Sequence, residues 1–334
     1  MIPVWRPDPE SIAKAAQALQ AGRLIAMPTE TVYGLAANAL DARALARIFA
    51  VKGRPFFDPL IVHVHSMEQA RTLVLDLPPK ALALMERFWP GPLTVVLPRA
   101  PAIPDLATSG LPSVALRYPR HPVATALLRQ CGFPLAAPSA NPFGGLSPTR
   151  PEHVAFAFDE GVDAVIDGGP CEVGLESTII GFHRGEPTLL RAGGLALETL
   201  QECVGAISLD PGRGGDKAQT PPGHPQAIEA PGQLPWHYAP STPLRLIAEP
   251  AAIADREGRG LLSFRGLGST RGYLSVEVLS PSGDLIEAAA RLFSCLHRLD
   301  AQGLKGIDAE TVPDSGLGRA ILDRLSKASR RPAN

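Results

Sequence analysis

Short apolar runs of strand length alternate, over the first two-thirds of the chain, with segments whose apolar positions recur at helical spacing. The runs are Leu24 to Met27, Leu60 to Val64, Leu93 to Leu97, Ser113 to Leu116, Pro134 to Ala137, Ala164 to Ile166 and Ser177 to Ile180. Helical patterns cover Pro9 to Gln20, Ala42 to Ala50, Pro79 to Phe88, Val123 to Gln130 and Leu195 to Val204. Irregular alternation of this kind predicts an α/β or α+β domain with a mixed sheet. The pattern stops at residues 211–240, where seven prolines and five glycines among thirty positions read as a linker. Beyond it, strand-like Leu244 to Ile247, Gly260 to Phe264 and Leu274 to Leu279 precede helical Leu285 to Leu299 and Leu317 to Ser326. The expected organisation is therefore a large domain over 1–210, the linker over 211–240 and a small α/β domain over 241–334.

Composition narrows the function classes. At 45% hydrophobic and 19% charged, the 334-residue chain is globular rather than disordered. Thirty-two basic against thirty-three acidic residues leave no excess to drive stable nucleic-acid or anionic-membrane binding, so any phosphate contact has to be local. Cysteines at 131, 171, 203 and 295 form no close pair, which fits a reducing cytoplasm. No apolar leader or membrane-length run is present, so neither export nor membrane spanning is expected. Phosphate-loop, dinucleotide-loop, zinc-protease and hydrolase-elbow motifs are all missing.

Chemistry-bearing residues gather in four places. Pro28-Thr29-Glu30-Thr31-Val32-Tyr33-Gly34 follows an apolar strand, where hydroxyls can hold a small ligand or cap a helix. Lys52-Gly53-Arg54-Pro55 places two cations two residues apart, a match for a polyphosphate or a solvated basic turn. Alternation in Ile61-Val62-His63-Val64-His65 puts both histidines on one face of a strand, open to metal binding or to plain half-burial. On Ser113-Val114-Ala115-Leu116-Arg117, Ser113 and Arg117 share a face, and the prolines of Ala137-Pro138-Ser139-Ala140-Asn141-Pro142 leave Ser139 and Asn141 facing one way. Glu176-Ser177-Thr178 and Leu190-Arg191-Ala192 put polar groups on otherwise apolar strands. Arginines, a lysine and serines recurring at strand ends in a chain without net positive charge point to an anionic ligand.

Pro28 to Leu35, Lys52-Gly53-Arg54-Pro55, Phe88-Trp89-Pro90-Gly91-Pro92-Leu93-Thr94, Ser139-Ala140-Asn141 and Glu176-Ser177-Thr178, in this order over residues 12–205, closely resemble the YrdC-like L-threonylcarbamoyladenylate synthases. Pro231-Gly232 to His237-Tyr238-Ala239-Pro240, with the small domain after it, is similar to that family's longer two-domain form. The resemblance implies a twisted mixed sheet with helices around a large concave site, plus a Rossmann-like C-terminal α/β domain. It implies a nucleotidyltransferase that joins L-threonine, bicarbonate and ATP into threonylcarbamoyl-AMP, releases pyrophosphate, and hands the product to a separate complex that modifies tRNA. By the same resemblance Lys52, Arg54, Ser113, Ser139, Asn141, Ser147, Arg191 and Tyr238 belong to the ATP side, and Thr31, His63, Arg117, the backbone at Ala137, and Ser177 to the threonine and bicarbonate side. Asp58 stands where family members usually carry asparagine, and a carboxylate there would repel phosphates unless a metal intervened. Mg2+ is expected with ATP. The chemistry requires no protein nucleophile, only positioning and charge neutralisation. An RNA-binding module on the same fold is the alternative, disfavoured by the neutral charge and by few aromatics. A carbamoyl-phosphate-using relative is disfavoured by the lack of an acylphosphatase-like or zinc-ribbon segment.

Overall fold

The computed structural model describes residues 2–158, 160–209, 230–234, 236–268 and 270–330. Its first part runs β1 (Val4–Trp5), α1 (Pro9–Gln20), β2 (Ile25–Met27), β3 (Gly34–Asn38), α2 (Ala42–Lys52), β4 (Ile61–His63), α3 (Met67–Thr72), α4 (Pro79–Phe88), β5 (Leu93–Pro98), α5 (Asp105–Thr108) and β6 (Ser113–Arg117). It continues through α6 (Pro122–Cys131), β7 (Leu135–Ala136), α7 (Pro151–Ala157), β8 (Ala164–Ile166), β9 (Thr178–His183), β10 (Glu186–Arg191), α8 (Leu197–Val204) and β11 (Ser208–Leu209). The second part holds β12 (Leu244–Ile247), β13 (Arg259–Ser263), β14 (Ser275–Val278), α9 (Leu285–Asp300), β15 (Gly306–Glu310) and α10 (Gly318–Ala328).

The eleven strands of the first part form one mixed sheet in the order β1-β8-β2-β3-β7-β4-β6-β5-β9-β10-β11, and β12-β15-β13-β14 form a separate parallel sheet. One face of the large sheet is closed by α1 and α6, whose Leu19, Val123, Leu127 and Leu128 pack with Ile25, Met27, Leu135 and Ile166. On the other side a single apolar cluster continues from Leu45, Phe49 and Leu116 into Leu292, Phe293 and Leu296 of α9, so the two parts share a core. Gly174, at φ +71°, allows the junction: a Cβ there would stand 2.6 Å from the Ala290 backbone.

Expected and observed elements coincide for α1, α4, β8 and β12, and most others shift by a few residues. β15 escaped the hydrophobic pattern because acidic Asp308 lies in the middle of it. That carboxylate is fully buried, held by Arg245 at 2.7 Å, Arg259 at 2.8 Å and Tyr273 at 2.9 Å. β3 escaped it because Gly-Leu-Ala-Ala-Asn carries no β-branched residue. The expected linker lies outside the described residues over 211–229, whereas 230–234 and 236–240 pack on the large sheet's site, as described next.

Candidate active site

Capping of α2 begins the site. The helix ends at Lys52 with Gly53 left-handed at φ +61°, and the Gly53 and Arg54 amides donate to the Ala50 and Phe49 carbonyls. This turn sends the two cations apart. Lys52 Nζ donates to the Ser139 carbonyl at 2.6 Å and to the Asn141 carbonyl, pinning the 139–141 segment. Arg54 donates to the carbonyls of Asp58 at 3.0 Å and Pro59 at 2.8 Å and pairs with the Asp58 carboxylate at 2.9 Å. Burial, helped by the nearby Arg54 charge, pulls the Lys52 ammonium well below its usual pKa, and burial also raises Asp58 against the pull of Arg54 and Lys52.

Arg117, at the C-terminal end of β6, pairs with Glu30 at 2.9 Å, both side chains buried. His63, level with it on adjacent β4, is pushed down to about 3 by burial and by Arg117, so it is a neutral imidazole near pH 7. Ser177 shares a 2.7 Å hydrogen bond with Thr94 and accepts one from Arg191, whose fork also reaches the Ser177 carbonyl at 2.9 Å. Thr31, wholly buried, holds Thr29 at 2.8 Å. Arg54, His63, Arg117, Ala137, Ser139, Ser177, Arg191 and Tyr238 thus converge on one cavity of about 50 Å³.

The concavity is small because the chain after 230 fills it. Pro231, Gly232, His237 and Tyr238 form part of its wall, and Arg191 donates to the Pro231 carbonyl at 3.2 Å. Tyr238 is 2% exposed, and its φ of +60° is a left-handed conformation that few non-glycine residues adopt. The second part of the chain secures it: Arg324 of α10 lies 4.7 Å over the Tyr238 ring, donates to Glu176 at 2.7 Å, and Glu176 in turn accepts from Ser147. Lys327 donates to the Gly232 carbonyl. Burial opposes charge on Glu176, but Arg324 and Arg191 outweigh it and lower its pKa.

Ser113 and Arg117 lie at opposite ends of β6, four residues or about 13 Å apart, and of the two only Arg117 lines the cavity. Two expectations are corrected. Asn141 does not face the way of Ser139, because its amide donates to the Pro142 and Gly145 carbonyls. His65 does not share a strand with His63, because β4 ends at His63 and the chain turns there into α3. Glu30, Glu176 and Thr94 stood inside the quoted motifs without a role, since nothing in spacing reveals that they hold Arg117, Ser147 and Ser177. Arg324 and Lys327 had no signal, being ordinary cations on an amphipathic helix.

Comparison with known proteins adds three findings. A Sua5/YciO/YrdC family model, described as telomere recombination, matches residues 17–193, and one described as the C-terminal domain of threonylcarbamoyl-AMP synthase matches 195–330. The chain is 42% identical to threonylcarbamoyl-AMP synthase of Pyrococcus abyssi, over 94% of this chain and 93% of that protein, and 40% identical to that of Bacillus subtilis, over 96% and 93%. A crystal structure of P. abyssi Sua5 complexed with L-threonine superimposes with a TM-score of 0.88 at 39% identity, covering 98% of this chain and 97% of that one.

Proposed function

This chain belongs to the threonylcarbamoyl-AMP synthase family and forms threonylcarbamoyl-AMP, and we propose that it does so from L-threonine, bicarbonate and ATP with release of pyrophosphate. One observation carries the reading: Arg54, Arg117 and Arg191, from three separate stretches of a chain with net charge -1, face a single buried cavity. The threonine amine forms a C–N bond to the bicarbonate carbon as water leaves, giving a carbamate. A carbamate oxygen then bonds to the α-phosphorus while the bond to the β-phosphate oxygen breaks, so pyrophosphate departs and no protein atom is modified. Arg117, neutral His63, Ser177, the Ala137 backbone and Thr31 take the threonine and carbamate; Arg54, Ser139, Ser147 and Arg191 take the nucleotide, with Lys52 and Asn141 holding the 139–141 segment. Ser113 lies at the far end of β6 from Arg117.

Among the described residues no three His, Cys, Asp or Glu side chains form a metal cluster. Mg2+ would enter as the ATP complex, held by the phosphates; Asp58, the carboxylate beside Lys52 and Arg54, is already paired with Arg54 at 2.9 Å. No described helix is long and apolar enough to cross a membrane, and all four cysteines are unpaired, which supports a reducing, cytoplasmic setting. The product, a mixed anhydride, would pass to a separate complex that modifies tRNA.

Pyrophosphate release tests the assignment. It should require threonine and bicarbonate together, with serine giving at most modest leakage, because one methyl in an apolar pocket is worth about 1–3 kcal/mol. Equal release with serine, or with no amino acid, would sink it.

A cavity of about 50 Å³ cannot admit a nucleotide, since small-molecule sites span roughly 300–1,000 Å³. The strap of residues 230–234 and 236–240 must therefore withdraw to load ATP, and its return would shield the anhydride from water. Tyr238→Ala should yield less intact threonylcarbamoyl-AMP per pyrophosphate, while Tyr238→Phe, which keeps the ring under Arg324, should stay near the unsubstituted ratio. An unchanged ratio in Tyr238→Ala would make the strap a mere connector.

A further inference from the structure

A second cavity, of about 300 Å³, opens where the two parts of the chain meet. Thr149, Arg150, Pro170 and Cys171 line it from the large-sheet side. Ala290, Arg291, Ser294 and Arg298 line it from α9, where 290, 294 and 298 recur every four residues and so share one helix face. Three guanidiniums and two hydroxyls thus surround the space, and no carboxylate among the described residues lines it. Arg298 is held in a fixed fork by Glu277 at 2.8 and 2.6 Å, and Arg291 pairs with Glu287 at 3.2 Å, both leaving donors unused. Arg150 makes no ion pair with any described residue.

The positive potential of this space is felt nearby. His153, stacked 3.8 Å from His297, is driven down to about 3 chiefly by burial and then by His297, Arg150 and Arg298. The cavity also sits directly behind the active site. Ser147 turns its hydroxyl to Glu176 there, its carbonyl meets His297 at 3.2 Å, and two residues on Thr149 shares a 2.9 Å hydrogen bond with Ser294.

We propose that this arginine-lined cavity is a second anion site, distinct from the active site, which takes a small phosphate-bearing anion such as free pyrophosphate. Guanidiniums match phosphate oxygens in bidentate fashion, and the space is at the lower end of small-ligand sites. An occupant would touch the Thr149–Ser294 contact and so bear on the segment that carries Ser147.

Titration calorimetry of the full chain with inorganic pyrophosphate tests this. Two binding classes are expected. The Arg150→Ala/Arg291→Ala variant should weaken one by about tenfold or more, the scale of a lost charge-assisted hydrogen bond, and leave the other class and the basal rate of pyrophosphate release unchanged. Arg54→Ala should remove the complementary class. If AMP rather than pyrophosphate loses a class in the arginine variant, the site stands and its occupant is a nucleotide phosphate. A single class in the unsubstituted protein, titrations with both pyrophosphate and AMP unchanged in the variant, or equal occupancy by sulfate at matched ionic strength would overturn the proposal. Should the double variant fail to fold, Arg150→Gln alone carries the same reading, because exposed Arg150 holds no acidic partner.

Discussion

Arg117→Ala is expected to lower the thermal unfolding midpoint by roughly 5–15 °C and to raise the threonine requirement sharply. The stability loss arises from Glu30, whose buried carboxylate would lose its 2.9 Å partner. Removing one member of a buried ion pair costs about 3–5 kcal/mol, because the remaining charge is left without water or counterion. The substrate effect has a separate origin, the loss of the cation that faces the threonine carboxylate. A second substitution separates the two. Arg117→Ala with Glu30→Gln should recover much of the lost stability, since no buried charge remains, yet leave the KM for threonine as high as in Arg117→Ala alone. Differential scanning calorimetry and threonine saturation curves on both variants give the answer. Recovery of threonine use together with stability would reduce Arg117 to a structural residue.

Arg54→Lys should lower kcat/KM for ATP by about ten- to a hundredfold although the charge is kept. The guanidinium makes two carbonyl contacts and an ion pair from one planar group, which an ammonium cannot reproduce. Asp58→Asn should act in the opposite direction and lower the KM for ATP, because the carboxylate that competes with phosphate for Arg54 is gone. Threonine constants should move little in either variant. If ATP and threonine constants shifted in equal proportion, the division of the site into a nucleotide side and a threonine side would be wrong.

Much of this architecture is legible in the sequence because periodicity reports burial. The apolar faces of α1 and α4 fix their limits, and the short apolar runs fix most strands of the large sheet. The site residues are legible for a different reason: Arg117, Ser177 and Arg191 are polar groups at strand ends, where apolar burial would otherwise be expected, and Arg54 follows Lys52 and Gly53 at the end of α2. What stays hidden is tertiary. Arg324 reads as one more exposed cation on α10, and only the packing of the second part onto the first places it over Tyr238. Asp308 breaks the apolar pattern of β15 because its neutralising arginines come from β12 and β13. The misjudged orientation of Asn141 has a local cause. Despite the flanking prolines the chain bends, with the Asn141 N–H donating to the Ser139 carbonyl at 3.0 Å, and carbonyls at 142 and 145 capture the side-chain amide, a competition that alternation alone does not register.

Carbon-labelled bicarbonate is the most direct probe of the central claim, that the three arginines bring a threonine carbamate to the α-phosphate of ATP. With ATP, L-threonine and labelled bicarbonate, the protein should release pyrophosphate in step with threonylcarbamoyl-AMP carrying the label in its carbamoyl carbon, as read by mass spectrometry. Pyrophosphate released at the same rate without threonine, or a product free of the label, would contradict it.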